Sequence, residues 1–113
     1  MNIQIMGTRK NRNTQKAERW FKERGIPYQI RLLNEKGISP RELDAVLAKY
    51  PAEDILDTQS KSYTRKGLAY MEFDAREEIL EEPLLLKMPI VRNGSNVTVG
   101  VADDVWKNWV ENT

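Results

Sequence analysis

The chain has 113 residues, a formal net charge of +1, 40% hydrophobic and 31% charged residues, and neither cysteine nor histidine. That size and balance fit one folded globular domain and not a disordered chain. The two missing residue types exclude disulfides, thiolate nucleophiles, imidazole bases and nearly every zinc site; no carboxylate run has calcium-loop spacing, so no metal site is expected.

Asn2-Ile3-Gln4-Ile5-Met6 alternates polar and apolar residues, which predicts a strand. The polar stretch Gly7–Arg12 opens a helix running to about Arg24, with Ala17, Trp20 and Phe21 on one face and Gly25 as its stop. Tyr28–Leu32 alternates again and predicts a second strand; strand, helix, strand over so short a span is a βαβ unit with parallel strands. Ser39-Pro40-Arg41-Glu42 has the form of a capping box with proline at the first helical position, and Leu43, Val46, Leu47 and Tyr50 follow at helical spacing until Pro51. Residues 52–72 are harder to assign: Ile55-Leu56 suggests one helical turn and Ser62–Leu68 another. Asp74–Glu77 repeats the capping-box form and opens a helix through Ile79 and Leu80 that Pro83 closes. Pro89–Arg92 and Asn96–Gly100 flank Asn93-Gly94-Ser95, a strong hairpin signal. A last helix from about Asp103 is expected to bury Val105, Trp106, Trp109 and Val110.

This order predicts an α/β, thioredoxin-like fold: a glutaredoxin-like β-α-β unit, then a β-hairpin and closing helix. A single domain, 1–113, is expected, its core formed by about 1–35 and 84–113, with a helical lobe inserted over about 38–83. No run approaches the roughly 18 apolar residues of a membrane span. The start of the chain lacks a basic segment followed by an apolar one, so a cytoplasmic location without membrane contact is expected. Charge is uneven: residues 1–50 carry 11 Lys/Arg and 5 Asp/Glu (+6), residues 51–113 carry 7 and 12 (−5). The near-neutral total and the absence of a DNA-reading motif argue against direct nucleic-acid binding.

Several stretches carry a resemblance. Asn11-Arg12-Asn13-Thr14-Gln15-Lys16-Ala17 is similar to the pattern Cys-x-x-[Cys/Ser]-[Arg/Gln]-[Lys/Asn]-Ala with which the ArsC/Spx family opens its first helix. Ile55–Leu68 resembles that family's middle segment, Pro83–Val91 its Pro-x-Leu-x-x-Arg-Pro-Ile-Val pattern, and Gly100 to Trp106 its Gly-acidic-Trp ending. The resemblance covers nearly the whole chain and implies a thioredoxin fold. It also implies a chemistry that the residues do not support. The family's nucleophilic cysteine falls on Asn11 and its second Cys/Ser on Thr14. The arginines that handle an oxyanion in arsenate reductases fall on Asp57, on Met88 and near Val101.

A thiol at a helix start is activated by free N–H groups and the helix dipole, whereas asparagine there is a preferred cap and is not redox-active. Thr14 has no base in its motif to activate it, so no catalytic residue is expected. Arg9, Lys10, Arg12 and Lys16 surround the helix start and are the residues expected to contact an anion, such as phosphate or the carboxylates of glutathione, if one binds; solvated loop charges are the alternative. Pro89 matches the family's cis-proline, expected to shape a groove for an extended ligand.

The combined expectation is a family member without thiol redox activity, acting by protein binding or regulation. The Spx branch binds the α subunit of RNA polymerase, and the resemblance offers that subunit as a partner. The alternative is an oxidoreductase related to arsenate reductase, or a glutathione-binding protein, that takes its thiol from outside. No cofactor is expected beyond such glutathione.

Overall fold

The structure, a computed structural model, describes residues 1–112. Its contacts divide into two compact units, Met1–Leu32 with residues 88–112, and Leu33–Lys87.

The first unit is built on four strands, β1 (Ile3–Gly7), β2 (Tyr28–Leu32), β3 (Ile90–Asn93) and β4 (Asn96–Val99), in the order β2-β1-β3-β4. β1 and β2 are parallel, with Ile3 opposite Tyr28 and Gly7 opposite Leu32. β3 runs antiparallel to β1 and to β4. This is the β-α-β plus hairpin arrangement that the element order predicts. β1 lies between β2 and β3 and is buried at four of its five positions, the pattern of a strand covered on both faces.

Helix α1 (Arg12–Glu23) turns Thr14, Ala17 and Phe21 inward. Ala17 and Phe21 meet Ile3, Ile5, Val91 and Trp106 in one apolar cluster. Its end is a Schellman motif: Gly25 takes a φ of 68°, Gly25 N–H donates to Lys22 O at 3.0 Å and Ile26 N–H to Phe21 O at 2.9 Å. Only glycine enters that backbone region without strain. Helix α6 (Asp103–Glu111) buries Trp106 completely. The Trp106 ring sits 5.2 Å from Phe21 and 5.6 Å from Trp20, and its Nε1–H donates to Thr98 Oγ1 at 2.8 Å. A buried indole N–H needs such an acceptor.

Two expectations are corrected here. Val105 is 43% exposed, because the inward stripe of α6 is Trp106, Trp109 and Val110, and Val105 lies about 100° around the helix from Trp106. The hairpin loop is Gly94-Ser95, with Asn93 paired to Asn96 as the last strand residue. Of the two loop residues only Gly94 has positive φ, 61°, as in a type II′ turn, where glycine comes first.

The second unit is helical: α2 (Pro40–Leu47), α3 (Ala52–Ile55), α4 (Lys61–Lys66) and α5 (Ala75–Glu81), with 3-10 turns at Leu68–Tyr70 and Pro83–Leu85. The capping box of α2 is complete: Glu42 N–H donates to Ser39 Oγ at 3.1 Å and Ser39 N–H to Glu42 Oε1 at 2.9 Å. That of α5 is half formed. Asp74 Oδ1 accepts from Glu77 N–H at 3.1 Å, but the Glu77 carboxylate turns to Arg76 at 3.2 Å. The Arg76 guanidinium also makes a forked contact with Asp44, at 2.8 and 3.2 Å, joining α5 to α2. The core of this unit includes Ile38, Leu43, Val46, Ile55, Leu68, Ile79 and Leu85.

Candidate functional site

Strand register gathers one end of the first unit's sheet. Met6 pairs with Ile90, and Ile90 with Val99. The chain leaving β1 at Thr8, the chain entering β3 at Pro89 and the chain leaving β4 at Gly100 therefore meet at that end. Gly100 N–H donates to Pro89 O at 2.9 Å, extending the ladder by one rung. The Met88–Pro89 peptide is cis, as expected, and Pro89 is buried.

Helix α1 begins at the same end. Asn11 has extended backbone (φ −74°, ψ 122°) and stands as its cap. Its Oδ1 accepts from Thr14 N–H at 2.8 Å and from Thr14 Oγ1–H at 3.0 Å. The backbone donor fixes which end of the amide faces Thr14, and an amide oxygen can only accept, so the threonine hydroxyl must donate. Thr14 is fully buried. Its side chain lies over the α-carbon of Gly7; a β-carbon there would clash with Oγ1 and come within 2.8 Å of Cγ2. This dependence on Gly7 has a faint sequence signal, a glycine at the end of a strand, which the pattern reading did not use.

Arg9, Lys10, Arg12 and Lys16 are all exposed around this helix start. The first turn of α1 holds no acidic residue, so these cations lie at the positive end of the helix dipole with no carboxylate in that turn. Arg9 Nη1 lies 3.9 Å from Glu18 Oε1, and the same oxygen accepts from Tyr28 Oη–H at 3.1 Å. Burial, and then the bond to the Glu18 carboxylate, hold the Tyr28 phenol above its usual pKa. Neither Glu18 nor Tyr28 stands out in the sequence, because they lie ten positions apart with no motif joining them.

Asp57, Met88 and Val101, expected from the resemblance to fall on family positions, have local roles. Asp57, in the second unit, accepts from Gln59 N–H through Oδ1 at 3.0 Å, an Asx turn, while its own N–H donates to Leu85 O at 2.8 Å. Met88 is half-buried and Val101 is 40% exposed. The arrangement supplies no thiol, and the Thr14 hydroxyl is committed to an amide oxygen with no base beside it. Among the described residues no cluster of three or more carboxylates could hold a metal ion, and no helix is long and apolar enough to cross a membrane.

The model of the ArsC family matches residues 7–109. This chain belongs to the ArsC family. It is 32% identical over 97 residues to the global transcriptional regulator Spx 2 of Oceanobacillus iheyensis, across 81% of this chain and 72% of that protein. In three dimensions it is similar to an ArsC family related protein from Bacteroides fragilis, with a TM-score of 0.81 and 24% identity over 96% of this chain and 97% of that one. It is also similar to an arsenate reductase from Vibrio cholerae, with a TM-score of 0.76 and 18% identity over 88% and 89% of the two chains. At these identities the structural likeness speaks for the thioredoxin-like fold alone. Within that family, this member has no cysteine at any position.

Proposed function

We propose that this ArsC family protein is a regulatory, protein-binding member without redox chemistry, working in the cytoplasm, and that the α subunit of RNA polymerase is its first candidate partner. One observation carries the reading: Asn11, on which the resemblance places the family's nucleophile, spends its side-chain oxygen on the cap of α1. The similarity to a transcriptional regulator supports it. So does the pairing of an intact thioredoxin-like fold with a chain that contains no cysteine. Loss of a reactive group while its scaffold persists is what selection for a surface would leave.

In this reading the contact surface is the sheet end. Pro89 shapes a groove for an extended segment, and Arg9, Lys10, Arg12 and Lys16 face the partner's carboxylates. The placement of Arg12 and Lys16 supports this, because like charges at i and i+4 destabilise an isolated helix.

The test is isothermal titration of the protein with purified RNA polymerase α subunit, alongside glutathione and arsenate. Saturable binding to the α subunit, weakened when Arg12 and Lys16 are changed to alanine, supports the proposal. An external-thiol enzyme predicts instead saturable glutathione or arsenate binding together with arsenate-dependent consumption of reduced glutathione; that result would sink the non-redox reading.

A further inference from the structure

We infer that the Gly67–Asp74 turn of the second unit is a docking knob for a positively charged protein surface, with Tyr70 and Met71 as apolar anchors inside an acidic rim. The inference is independent of the Asn11 end of the first unit.

Tyr70 is 94% exposed and Met71 52% exposed, while their neighbour Leu68 is only 2% exposed. The segment is nonetheless tightly held. Gly67 closes α4 in the left-handed region at φ 68°, Tyr70 N–H donates to Gly67 O at 3.1 Å, and Leu68–Tyr70 form a 3-10 turn pinned by buried Leu68. On the far side the half-buried Phe73 ring packs edge-on against Tyr63, with centroids 6.4 Å apart. A large apolar side chain held out from a pinned turn loses little freedom when it docks. Tyrosine and methionine are also among the residues enriched in interface centres.

Charge around the knob selects the partner. Glu72, Asp74 and Glu77 are exposed along it. Two nearby cations are drawn elsewhere, Arg65 to Glu82 at 3.2 Å and Lys66 to Glu78 and Glu81 at 3.5 and 3.2 Å, while Arg76 divides itself between Asp44 at 2.8 Å and Glu77 at 3.2 Å, which leaves Glu72 and Asp74 as the rim's open charges. Among the described residues Glu72 makes no ion pair. Asp74 caps α5 by accepting from Glu77 N–H through Oδ1 at 3.1 Å. The rim is therefore negative. It repels phosphate polymers and anionic lipid, and it steers in a surface rich in lysine or arginine. A guanidinium over the open Tyr70 ring adds a cation–π contact.

The experiment is a titration of the 15N-labelled full chain, followed by NMR, with an amphipathic Arg/Leu peptide and with its Glu/Leu counterpart. The expected result is saturable shifts centred on Gly67–Glu77 with the cationic peptide alone, weakening as salt is added. Tyr70→Ala should reduce affinity at least ~10-fold, as removal of a central anchor does. Glu72→Gln should reduce it about two- to fivefold, as a rim charge does. Because Tyr70 is exposed, its variant should melt with the parent, and a melting curve verifies this. Shifts centred elsewhere, an equal response to the acidic peptide, no effect of Tyr70→Ala, or no binding at millimolar peptide each overturn the assignment. Sedimentation across a concentration range supplies a further outcome: self-association that Tyr70→Ala abolishes would replace the foreign partner with a second copy of the chain.

Discussion

Asn11 Oδ1 receives both the backbone N–H and the side-chain hydroxyl of Thr14, at 2.8 and 3.0 Å. One amide oxygen thus caps α1 and satisfies a buried polar group in the same turn. Asn11→Ala should destabilise the protein by about 1 kcal/mol for the cap, with more added by the buried hydroxyl left without an acceptor. Asn11→Asp should match or exceed the parent at neutral pH, since a carboxylate suits the positive helix end and the neighbouring cations. Urea unfolding of the three proteins checks the order; an alanine variant as stable as the parent would remove the cap from the account.

Asn11→Cys tests what remains of the family's site. The new thiol would stand at the start of α1 beside Arg9, Lys10 and Arg12, so its pKa should fall below the free value of about 8.5. The rate of alkylation by iodoacetamide against pH reads that value directly. On the proposed reading this variant should not reduce arsenate, because the resemblance places the family's arginines at Asp57, Met88 and near Val101. Recovery of reductase activity by this one change would show that those positions are not needed.

The close approach of Gly7 to Thr14 gives a paired test. Gly7→Ala forces its new methyl into the threonine side chain and should cost about 1–3 kcal/mol, as overpacking does. Thr14→Ala in the same chain should recover much of that loss. Thr14→Ser should not, because it retains Oγ1. Thermal melts of the single and double variants decide; equal rescue by serine and alanine would put the strain elsewhere.

Acid stability should depend on Asp44 and Arg76. The hydrogen bond and charge of Arg76 hold the Asp44 carboxyl below its usual pKa, so in the folded state it stays ionised to lower pH. A depressed carboxyl pKa contributes stability that is fully present above the unfolded value of about 3.9 and is lost as pH falls through the folded one. Arg76→Gln should therefore flatten the stability–pH curve below about pH 4 and leave it unchanged near pH 7 apart from a constant offset. The pair is exposed, so the effect is small. Chemical denaturation at a series of pH values measures it, and an identical acid limb in the variant would refute the coupling.

Much of the fold was legible because local chemistry and final structure agree. Ser39 and Glu42 form the box that their spacing announces, and Gly25 ends α1 as glycine should. What pattern could not supply was the outcome of competition between neighbours. Glu77 leaves its place in the α5 box because Arg76 offers a closer charge. Asn93 stays in the ladder opposite Asn96, and the turn is made with Gly94 alone at positive φ. Val105 reads as apolar at helical spacing, yet the Trp106 ring decides which side of α6 faces inward. At the candidate site, Asn11 and Thr14 were visible through the family pattern. The supports beneath them, Gly7 under Thr14 and Tyr28 on Glu18, arise from tertiary approach and leave no periodic trace.

The strand register has a consequence for how such a protein diversifies. Leu32, where the chain leaves for the helical excursion, pairs with Gly7, and Met88, where it returns, immediately precedes the rung formed by Gly100 and Pro89. Departure and re-entry thus flank the same end of β1, and the sheet's hydrogen bonds do not register what lies between them. Doubling the length of a tethered excursion adds only about 0.6 kcal/mol of closure entropy. The four-stranded ladder is therefore complete without the stretch from Leu33 to Lys87, which holds together through its own buried side chains.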